Sequence, residues 1–336
     1  MQTKKISFSR QVTSFHFGAT FSGIKNLSSK KTTVLITDEN VFAAHQKFFR
    51  GWNIIVVNGG EEYKVQATVD SMVQQLIDMK ADRTWTLIGV GGGVITDMTG
   101  YVASVFLRGI SFGFVPTTLL GMVDAAIGGK NGVDVGLFKN MIGTINQPSF
   151  LLYDVGFLKT LPDNEWYNGF AEVIKHAAIL DAAMFKELDK RSVSYFQKTK
   201  PALEALVQHN ALLKAKVVKE DEFEKGRRRL LNFGHTLGHA LEKQNELMHG
   251  EAVAIGMAFA AKLSENLLAF KGADKLVNLI GQYHLPASAH YDKEKAFDLL
   301  VSDKKREGEH INFILLERLG KAVSKKISLP EIYKAI

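Results

Sequence analysis

The amino-acid sequence predicts an α/β N-terminal domain with a mostly parallel sheet, followed by a largely α-helical C-terminal domain. In the first half, short runs rich in β-branched or aromatic residues alternate with helical stretches, which is typical of a parallel sheet covered on both faces. After about Phe157, long amphipathic segments replace these runs. A length of 336 residues fits two ordinary domains. We expect them at residues 1–156 and 157–336.

The individual elements follow from local pattern. Four segments of the first half predict strands: TTVLIT (32–37), NIIVV (53–57), TWTLIGV (84–90) and ISFGFV (110–115). Residues 63–79 between them predict a helix. Further helices are predicted at 163–180, 201–225, 229–245 and 249–269, with Pro162 and Pro201 where helices could begin. In the second half only INFILL (311–316) has a strand pattern.

Composition excludes several classes of protein. Apolar residues make up 46% of the chain and charged residues 23%, so a sizeable core can form. The chain lacks both an uninterrupted apolar run of about 18 residues and an apolar segment after MQTKKISFSR, so we expect no membrane span, no secretory signal and a cytoplasmic location. Cysteine is absent, so any metal must be bound by His, Asp or Glu.

The net charge of +7 suggests an anionic partner. Basic residues are widely spread, and the clusters Arg227-Arg228-Arg229 and Lys304-Lys305-Arg306 are short and not interleaved with aromatic residues. Single-stranded nucleic acid needs such interleaving. We therefore expect a small anionic substrate and no nucleic acid.

Two glycine clusters are candidate anion sites. The strand TWTLIGV runs into Gly91-Gly92-Gly93 and then a helix pattern, a turn whose N–H groups can approach a phosphate. The spacing matches neither common nucleotide motif, so a tight turn without a ligand stays equally open. Gly128-Gly129-Lys130-Asn131-Gly132 suits a phosphate or carboxylate as well as it suits an exposed loop.

Three histidines and a glutamate are candidate metal ligands. His235 and His239 are four positions apart on one helix face, His249 opens the next helix, and Glu172 lies on another. Such ligands suit a catalytic zinc ion with an open position. Thr236 stands where HExxH peptidases carry their glutamate, which disfavours peptidase chemistry. The spacing leaves a site of three histidines and a site of two histidines with Glu172 both open.

The remaining histidines are expected to be ordinary core or surface residues rather than ligands: His16, His45, His176, His209, His284, His290 and His310.

Six blocks, in order, resemble the 3-dehydroquinate synthase family: GGGVITDMTGYVASVFLRG, VPTTLLGMVDAAIGGKNGVD, KNMIG, LPDNEWYNGFAEVIKH, RRRLLNFGHTLGHA and LMHGEAVAIGM. With the DEN and DKK segments the resemblance extends from about Asp38 to Lys304, most of the chain. It implies an active site in the cleft between the two domains and a homodimer.

The resemblance also implies two cofactors, NAD and zinc, with cobalt as the alternative metal. Glu172, His235 and His249 are the implied metal ligands, whereas His239 is implied to lie near a substrate phosphate. The implied NAD-binding residues are Asp38, Asn40, Glu61, Lys64, Gly91, Gly92, Asp97, Thr117, Thr118, Lys139, Thr160, Leu161 and Glu165.

The implied substrate is a seven-carbon keto acid phosphate. Lys175 and Asp124 are assigned to its hydroxyl region, and Lys214 and Arg228 to its carboxylate. The phosphate is assigned to Lys130, Asn140, His239 and Lys304, and the remaining implied substrate contacts are Arg108 and Asn232. Binding the two anionic groups of this substrate should take several cations. They account for part of the net positive charge and are Lys130, Lys175, Lys214, Arg228 and Lys304.

The implied reaction converts 3-deoxy-D-arabino-heptulosonate 7-phosphate to 3-dehydroquinate and phosphate, a lyase step of the shikimate pathway to aromatic amino acids. A ring hydroxyl is oxidised by NAD⁺, phosphate is eliminated, the hydride returns, the ring opens, and an intramolecular aldol step closes the carbocycle. The net reaction therefore leaves NAD unchanged.

Three alternatives remain open. One is a cyclase of another sugar phosphate, since such relatives share the zinc and NAD blocks. A second is a zinc- or iron-dependent polyol dehydrogenase of the same architecture, which would accumulate NADH and would not need so many cations. The third is a non-catalytic basic protein, which would retain no zinc.

Overall fold

The computed structural model describes residues 1–136, 138–245, 247–301 and 306–336. Its strands are β1 (Gln2–Ser7), β2 (Val12–Phe17), β3 (Thr33–Asp38), β4 (Asn53–Val57), β5 (Thr86–Gly91), β6 (Ser111–Pro116), β7 (Lys130–Val135), β8 (Phe138–Ile145), β9 (Phe150–Leu152), β10 (Arg306–Glu307), β11 (His310–Arg318) and β12 (Lys321–Ser328). Its α-helices are α1 (Glu39–Phe49), α2 (Gln66–Asp78), α3 (Gly93–Val105), α4 (Asp163–Leu180), α5 (Ala182–Leu188), α6 (Val193–Lys198), α7 (Lys200–Glu220), α8 (His235–Asn245), α9 (His249–Leu268), α10 (Ala273–Gln282), α11 (Lys293–Val301) and α12 (Leu329–Ala335).

The first of two compact units comprises Met1–Pro162 and Lys200–Phe223. Its sheet has the order β1-β2-β9-β6-β5-β3-β4, and every neighbouring pair is parallel except β1 with β2. All six residues of β3 are buried, as expected for a strand covered on both faces. The predicted parallel sheet and its four predicted strands are confirmed.

The strand order reverses direction at β3. From β3 the chain moves to β4 on one side and then returns to β5 on the other side. In open parallel sheets, ligands bind beyond the carboxyl ends of the strands at such a switch point. The residues that follow β3 and β5 therefore lie where a cofactor is expected.

The segment after the second glycine cluster forms a two-stranded antiparallel hairpin of β7 and β8. The glycine-rich pattern of this region predicts an exposed loop or an anion site and no strands. Gly132 pairs with Gly143, and a Cβ atom on either residue would overlap the backbone opposite. The glycines therefore permit the two strands to approach closely.

The second unit comprises Asp163–Thr199 and Glu224–Ile336. The predicted helices at 163–180 and 249–269 match α4 and α9, whereas 229–245 is divided into a 3₁₀ helix (Arg227–Asn232) and α8. The expectation of one strand was wrong, because β10, β11 and β12 form an antiparallel sheet. In β12 only Ala322 and Ile327 are buried, and Lys and Ser residues hold most of the other positions, so the strand lacks the continuous apolar run of a fully buried strand.

The units are discontinuous in sequence, unlike the expected domains 1–156 and 157–336. Helix α7, expected in the second domain, belongs with the first unit. Its buried face includes Val207, Ala211 and Ala215, and its Lys214 pairs with Asp124 of the same unit. Helix α7 belongs to the first unit because of its tertiary packing. Its position in the sequence does not reveal that packing.

Among the helices of the described ranges, none combines the length and apolar character that crossing a membrane requires.

Candidate active site

The second unit brings Glu172, His235 and His249 together. His249 Nε2 lies 3.2 Å from Glu172 Oε1, and His235 Nε2 lies 3.6 Å from the same oxygen. One ligand atom from each residue lies within 4.8 Å of the others. Glu172 is on α4, His235 is the first residue of α8, and His249 is the first residue of α9. Three separate helices thus aim one carboxylate and two imidazoles at one point.

Glycines make this approach of helices possible. A Cβ atom on Gly256 of α9 would overlap the carbonyl of Gly234, which precedes α8, and one on Gly250 would lie 2.6 Å from the backbone of Asn168 on α4. Gly234 itself has a φ of +81°, a conformation that favours glycine. Side chains at these positions would push α8, α9 and α4 apart and separate the three ligands.

The donor set fits a divalent transition metal. Two neutral imidazoles and one carboxylate are a common catalytic zinc set, with a fourth position left for substrate. His239 is not a member of the group, although its ring centroid is 5.2 Å from that of His235. Of the two arrangements that the spacing left open, the geometry favours two histidines with Glu172.

Further polar groups surround this cluster. The ammonium of Lys175, which is 2% exposed, pairs with Glu172. His235 Nδ1 lies 3.1 Å from the Phe233 carbonyl oxygen, and His249 Nδ1 lies 3.7 Å from Glu242 Oε1. Burial works to lower the pKa of His249, but the carboxylates of Glu172 and Glu242 outweigh it and raise that pKa to about 9.

In the first unit, the predicted cofactor residues gather at the carboxyl ends of the parallel strands. Asp38 ends β3 and caps α1, its Oδ1 accepting from Val41 N–H at 2.9 Å. Gly91 ends β5, and Gly92 precedes the first turn of α3. Thr117 N–H donates to the Gly91 carbonyl at 3.0 Å. These positions flank the switch point between β3 and β5, where a dinucleotide is expected.

Lys64 joins several of the predicted residues. Its buried ammonium lies 2.7 Å from Asp97 Oδ2 and donates to Asn140 Oδ1 at 2.8 Å, and Glu61 Oε1 is 3.7 Å away. Burial works to lower the pKa of Lys64, but the carboxylates of Asp97 and Glu61 outweigh it, so the pKa lies above its usual value. Burial raises the pKa of Asp97, and the Lys64 ammonium opposes this rise only in part. The distance of 2.7 Å between Lys64 Nζ and Asp97 Oδ2 nevertheless identifies an ion pair.

The remaining predicted cofactor residues are more dispersed. Lys139 Nζ lies 3.7 Å from Glu61 Oε1, and Thr160 Oγ1 lies 2.9 Å from His45 Nε2. Glu165 belongs to the second unit, on α4, where its Oε2 accepts from Asn168. The other positions of this set are Asn40 within α1, Thr118 after β6, and Leu161 after the 3₁₀ helix Val155–Thr160.

Four predicted substrate residues of the first unit lie in two places. Lys214 pairs with Asp124, and Lys130 and Asn140 lie in the β7–β8 hairpin. Lys214 Nζ lies 2.7 Å from Asp124 Oδ1 and donates to the Asp124 carbonyl at 2.8 Å. Asp124 lies in a single π-helical turn, Gly121–Ala125, a rare element that is frequent at functional sites. Lys130 and Asn140 lie toward opposite ends of the β7–β8 hairpin.

The rest of this set is placed as follows. Arg108 is exposed and has a φ of +67°. In the second unit Arg228 is 3% exposed, and Asn232 Nδ2 donates to Glu224 Oε1 at 2.7 Å. Lys304 lies outside the described residues.

Glu242 and Glu224 were not among the predicted site residues, and His45 was expected to be an ordinary core or surface residue. Glu242 had a usable signal, since it lies seven positions after His235 and two residues beyond the RRRLLNFGHTLGHA block, and so shares the helix face of His235. His45 and Glu224 had none, because their contacts with Thr160 and Asn232 depend on the fold.

The chain is similar to proteins of one family over most of its length. The N-terminal model of the 3-dehydroquinate synthase family matches residues 54–168, and its C-terminal model matches residues 169–306. A 3-dehydroquinate synthase of Campylobacter concisus is 45% identical over 278 residues, which cover 81% of this chain and 79% of the relative.

Two solved structures are similar over nearly the whole chain. A 2-deoxy-scyllo-inosose synthase in complex with carbaglucose-6-phosphate, NAD⁺ and Co²⁺ is 27% identical, covers 99% of this chain and 98% of its own, and has a TM-score of 0.86. A 2-epi-5-epi-valiolone synthase from Streptomyces hygroscopicus with bound NAD⁺ and Zn²⁺ is 26% identical, covers 100% and 97%, and has a TM-score of 0.87. Both family models together match most of this chain, so it belongs to the 3-dehydroquinate synthase family.

Proposed function

We propose that this chain converts 3-deoxy-D-arabino-heptulosonate 7-phosphate to 3-dehydroquinate and phosphate, with NAD and a zinc ion as cofactors and cobalt as the alternative metal. The observation that carries the proposal is the group of Glu172, His235 and His249, with the buried ammonium of Lys175 beside it. Family membership supports it, and so do the NAD⁺ and the Zn²⁺ or Co²⁺ in the two solved relatives.

The cofactors would supply the two parts of the chemistry that side chains lack. Zinc supplies a Lewis acid that lowers the pKa of a substrate hydroxyl and orients it, and NAD⁺ supplies a hydride acceptor that is restored in each turnover. Glu172, His235 and His249 would hold the metal and leave one position for the hydroxyl oxygen. Lys175 is one helical turn from Glu172, so its ammonium is placed to donate a hydrogen bond to that oxygen and to stabilise negative charge on it.

The anionic ends of the substrate require cations. Arg228 presents a planar guanidinium that can bind a carboxylate through two parallel hydrogen bonds, and we assign it to this group together with Lys214. Asp124 holds the Lys214 ammonium in place, and with Lys175 we assign it to the hydroxyl region. The phosphate is assigned to Lys130, Asn140, His239 and Lys304, and the further contacts Arg108 and Asn232 complete the set.

The test is phosphate release from the heptulosonate phosphate by purified protein, with and without a metal chelator and with and without added NAD. We expect phosphate and 3-dehydroquinate in equal amounts, no accumulation of NADH, and loss of turnover with the chelator. A stoichiometric rise of NADH would instead indicate a polyol dehydrogenase. Phosphate release that survives full removal of metal would refute the role of Glu172, His235 and His249.

A second candidate is a cyclase of another sugar phosphate, because the similar solved structures include a 2-deoxy-scyllo-inosose synthase with a sugar phosphate analogue bound. Glucose 6-phosphate, whose carbocyclic analogue is bound there, lacks a carboxylate. Comparing kcat/KM for the two substrates distinguishes the candidates. Preference for glucose 6-phosphate would favour the second.

We also propose that the enzyme is a cytoplasmic homodimer that does not bind nucleic acid. The absence of cysteine suits a reducing compartment, and the family resemblance supports the dimer. Light scattering coupled to size exclusion measures the mass in solution. A mass of one chain, 37.2 kDa, would contradict the dimer.

A further inference from the structure

His249 lies between two carboxylates, and each carboxylate faces a different ring nitrogen. Nε2 is 3.2 Å from Glu172 Oε1, and Nδ1 is 3.7 Å from Glu242 Oε1. Glu242 is on α8 in the second unit, two helical turns after His235, so α8 contributes one candidate ligand and one carboxylate from the same face.

The side chain of Glu242 is 6% exposed. Removing a carboxylate from water costs free energy, so buried charges are found where charged or polar groups compensate them. Leu237, Leu241 and Ile255 make the surrounding part of α8 and α9 apolar. A leucine would suit the packing of such a surface at least as well as a glutamate, so packing alone does not account for Glu242.

A histidine that binds a metal through Nε2 must carry its ring proton on Nδ1. A carboxylate that accepts this N–H holds the tautomer and orients the ring, and it makes Nε2 a stronger donor. At 3.7 Å the two atoms are beyond hydrogen-bond distance, and a movement of about 0.7 Å would close the contact. Glu242 lies on the side of the ring opposite Glu172, as this role requires.

We propose that Glu242 is a positioning residue of the metal centre, which holds His249 with its proton on Nδ1 and directs Nε2 toward the ion. The inference rests on the proposed function, because it takes Glu172, His235 and His249 as the ligands. Glu242 touches neither substrate nor cofactor in this assignment. Its effect reaches the reaction only through His249.

The experiment measures zinc affinity of the metal-free full chain by competition with a chromophoric chelator, for the wild type, Glu242→Gln, Glu242→Leu and His249→Ala. We expect Glu242→Leu to weaken zinc binding about 10- to 100-fold and Glu242→Gln toward the lower end of that range. The Gln variant keeps the size of the side chain, so it answers the question if the Leu variant does not fold.

The matched control is Glu251→Gln, the same carboxylate-to-amide change in the first turn of α9. Glu251 accepts from Met248 N–H at 3.0 Å and caps the helix, a role that glutamine also fills. Zinc affinity of this variant should stay within about threefold of wild type. ¹⁵N-histidine spectra of the zinc-loaded proteins add a second readout: the Nδ1–H proton of His249 should exchange slowly with water in wild type and faster in Glu242→Leu, which removes the acceptor.

The possible failures are distinguishable. If the wild type binds zinc, His249→Ala does not, and both Glu242 variants bind like the wild type, the role of Glu242 is refuted while the metal site stands. If His249→Ala binds zinc as tightly as the wild type, the ligand assignment of the proposed function is itself wrong. An equal loss in Glu242→Gln and Glu251→Gln would mean that any disturbance of this helix end weakens the site, and would also overturn the inference.

Discussion

The ammonium of Lys64 donates a 2.8 Å hydrogen bond to the side-chain oxygen of Asn140. Lys64 was expected to bind NAD, and Asn140 was expected to bind the substrate phosphate. Asp134 reinforces the link, because its N–H donates to the Lys64 carbonyl while its Oδ1 accepts from Asn140 N–H. The β7–β8 hairpin is therefore held by the same residue that we propose for the cofactor site, and substitutions at Lys64 should affect both.

Lys64→Met should destabilise the protein. The substitution removes the ammonium but leaves Asp97, whose side chain is 17% exposed, without its ion-pair partner. Breaking a buried pair in this way costs about 3–5 kcal/mol. Chemical denaturation of the NAD-free protein measures the loss. The double variant Lys64→Met/Asp97→Asn removes both charges and should recover part of it, and a double variant no more stable than Lys64→Met would contradict the pairing.

Gly92→Val should weaken NAD binding while the fold survives. A Cβ atom on Gly92 would lie 3.0 Å from Thr118 Cγ2, at the turn where α3 begins. Losing even one charge-assisted N–H contact to the pyrophosphate costs ~1.5–3 kcal/mol, or at least about tenfold in affinity. Titration of the apo protein with NAD⁺ provides the measurement. Gly281→Ala on α10 is the control, because nothing lies within 4 Å of its added methyl group. Unchanged NAD⁺ affinity in a folded Gly92→Val protein would place the cofactor elsewhere.

Single substitutions should separate the metal ligands from His239. Glu172→Gln, His235→Ala and His249→Ala each remove one member of the group within 4.8 Å, so each should lose bound zinc and turnover. His239→Ala should retain zinc and lose activity. Metal content of the purified variants, measured by mass spectrometry beside phosphate release, decides this. If the His239 variant were the one without zinc, the pairing of His235 with His239 would be the correct site.

Arg228→Ala should lower kcat/KM for the heptulosonate phosphate about ten- to a hundred-fold, because it removes a charge-assisted contact worth ~1.5–3 kcal/mol. Arg228 is 3% exposed, so folding is checked by circular dichroism, and Arg228→Lys retains the charge if the alanine variant is unstable. Raising the salt concentration should increase KM of the wild type more than that of the variant.

The control for Arg228 is Lys262→Ala. The side chain of Lys262 is 71% exposed and forms an ion pair with Glu265, one helical turn away on α9. It should retain wild-type efficiency. Near-wild-type kcat/KM in Arg228→Ala would argue against an acidic sugar phosphate and favour a neutral polyol as substrate. Lys304 lies outside the described residues, and Lys304→Ala tests its assignment to the substrate phosphate by the same measurement of kcat/KM.

Local pattern was enough for many elements because it depends on neighbours in the chain. Strand β3 and helix α4 were predicted within one residue at each end, since a buried parallel strand and an amphipathic helix each have a period of their own. The hairpin of β7 and β8 was not predicted, because glycines beside Lys130 and Asn131 also describe an exposed loop. Strand β12 was missed because Lys and Ser residues interrupt its apolar pattern.

The sequence by itself determined the ordering of strands and helices, the ligand chemistry available without cysteine, and the family resemblance. Only the tertiary structure decided which of the three histidines face Glu172, because Glu172 and His249 are 77 positions apart and spacing carries no information over that separation. It also decided that Lys214 belongs with Asp124, 90 positions earlier. Both pairings depend on how helices pack, and packing is set by the shapes of residues that are distant in sequence.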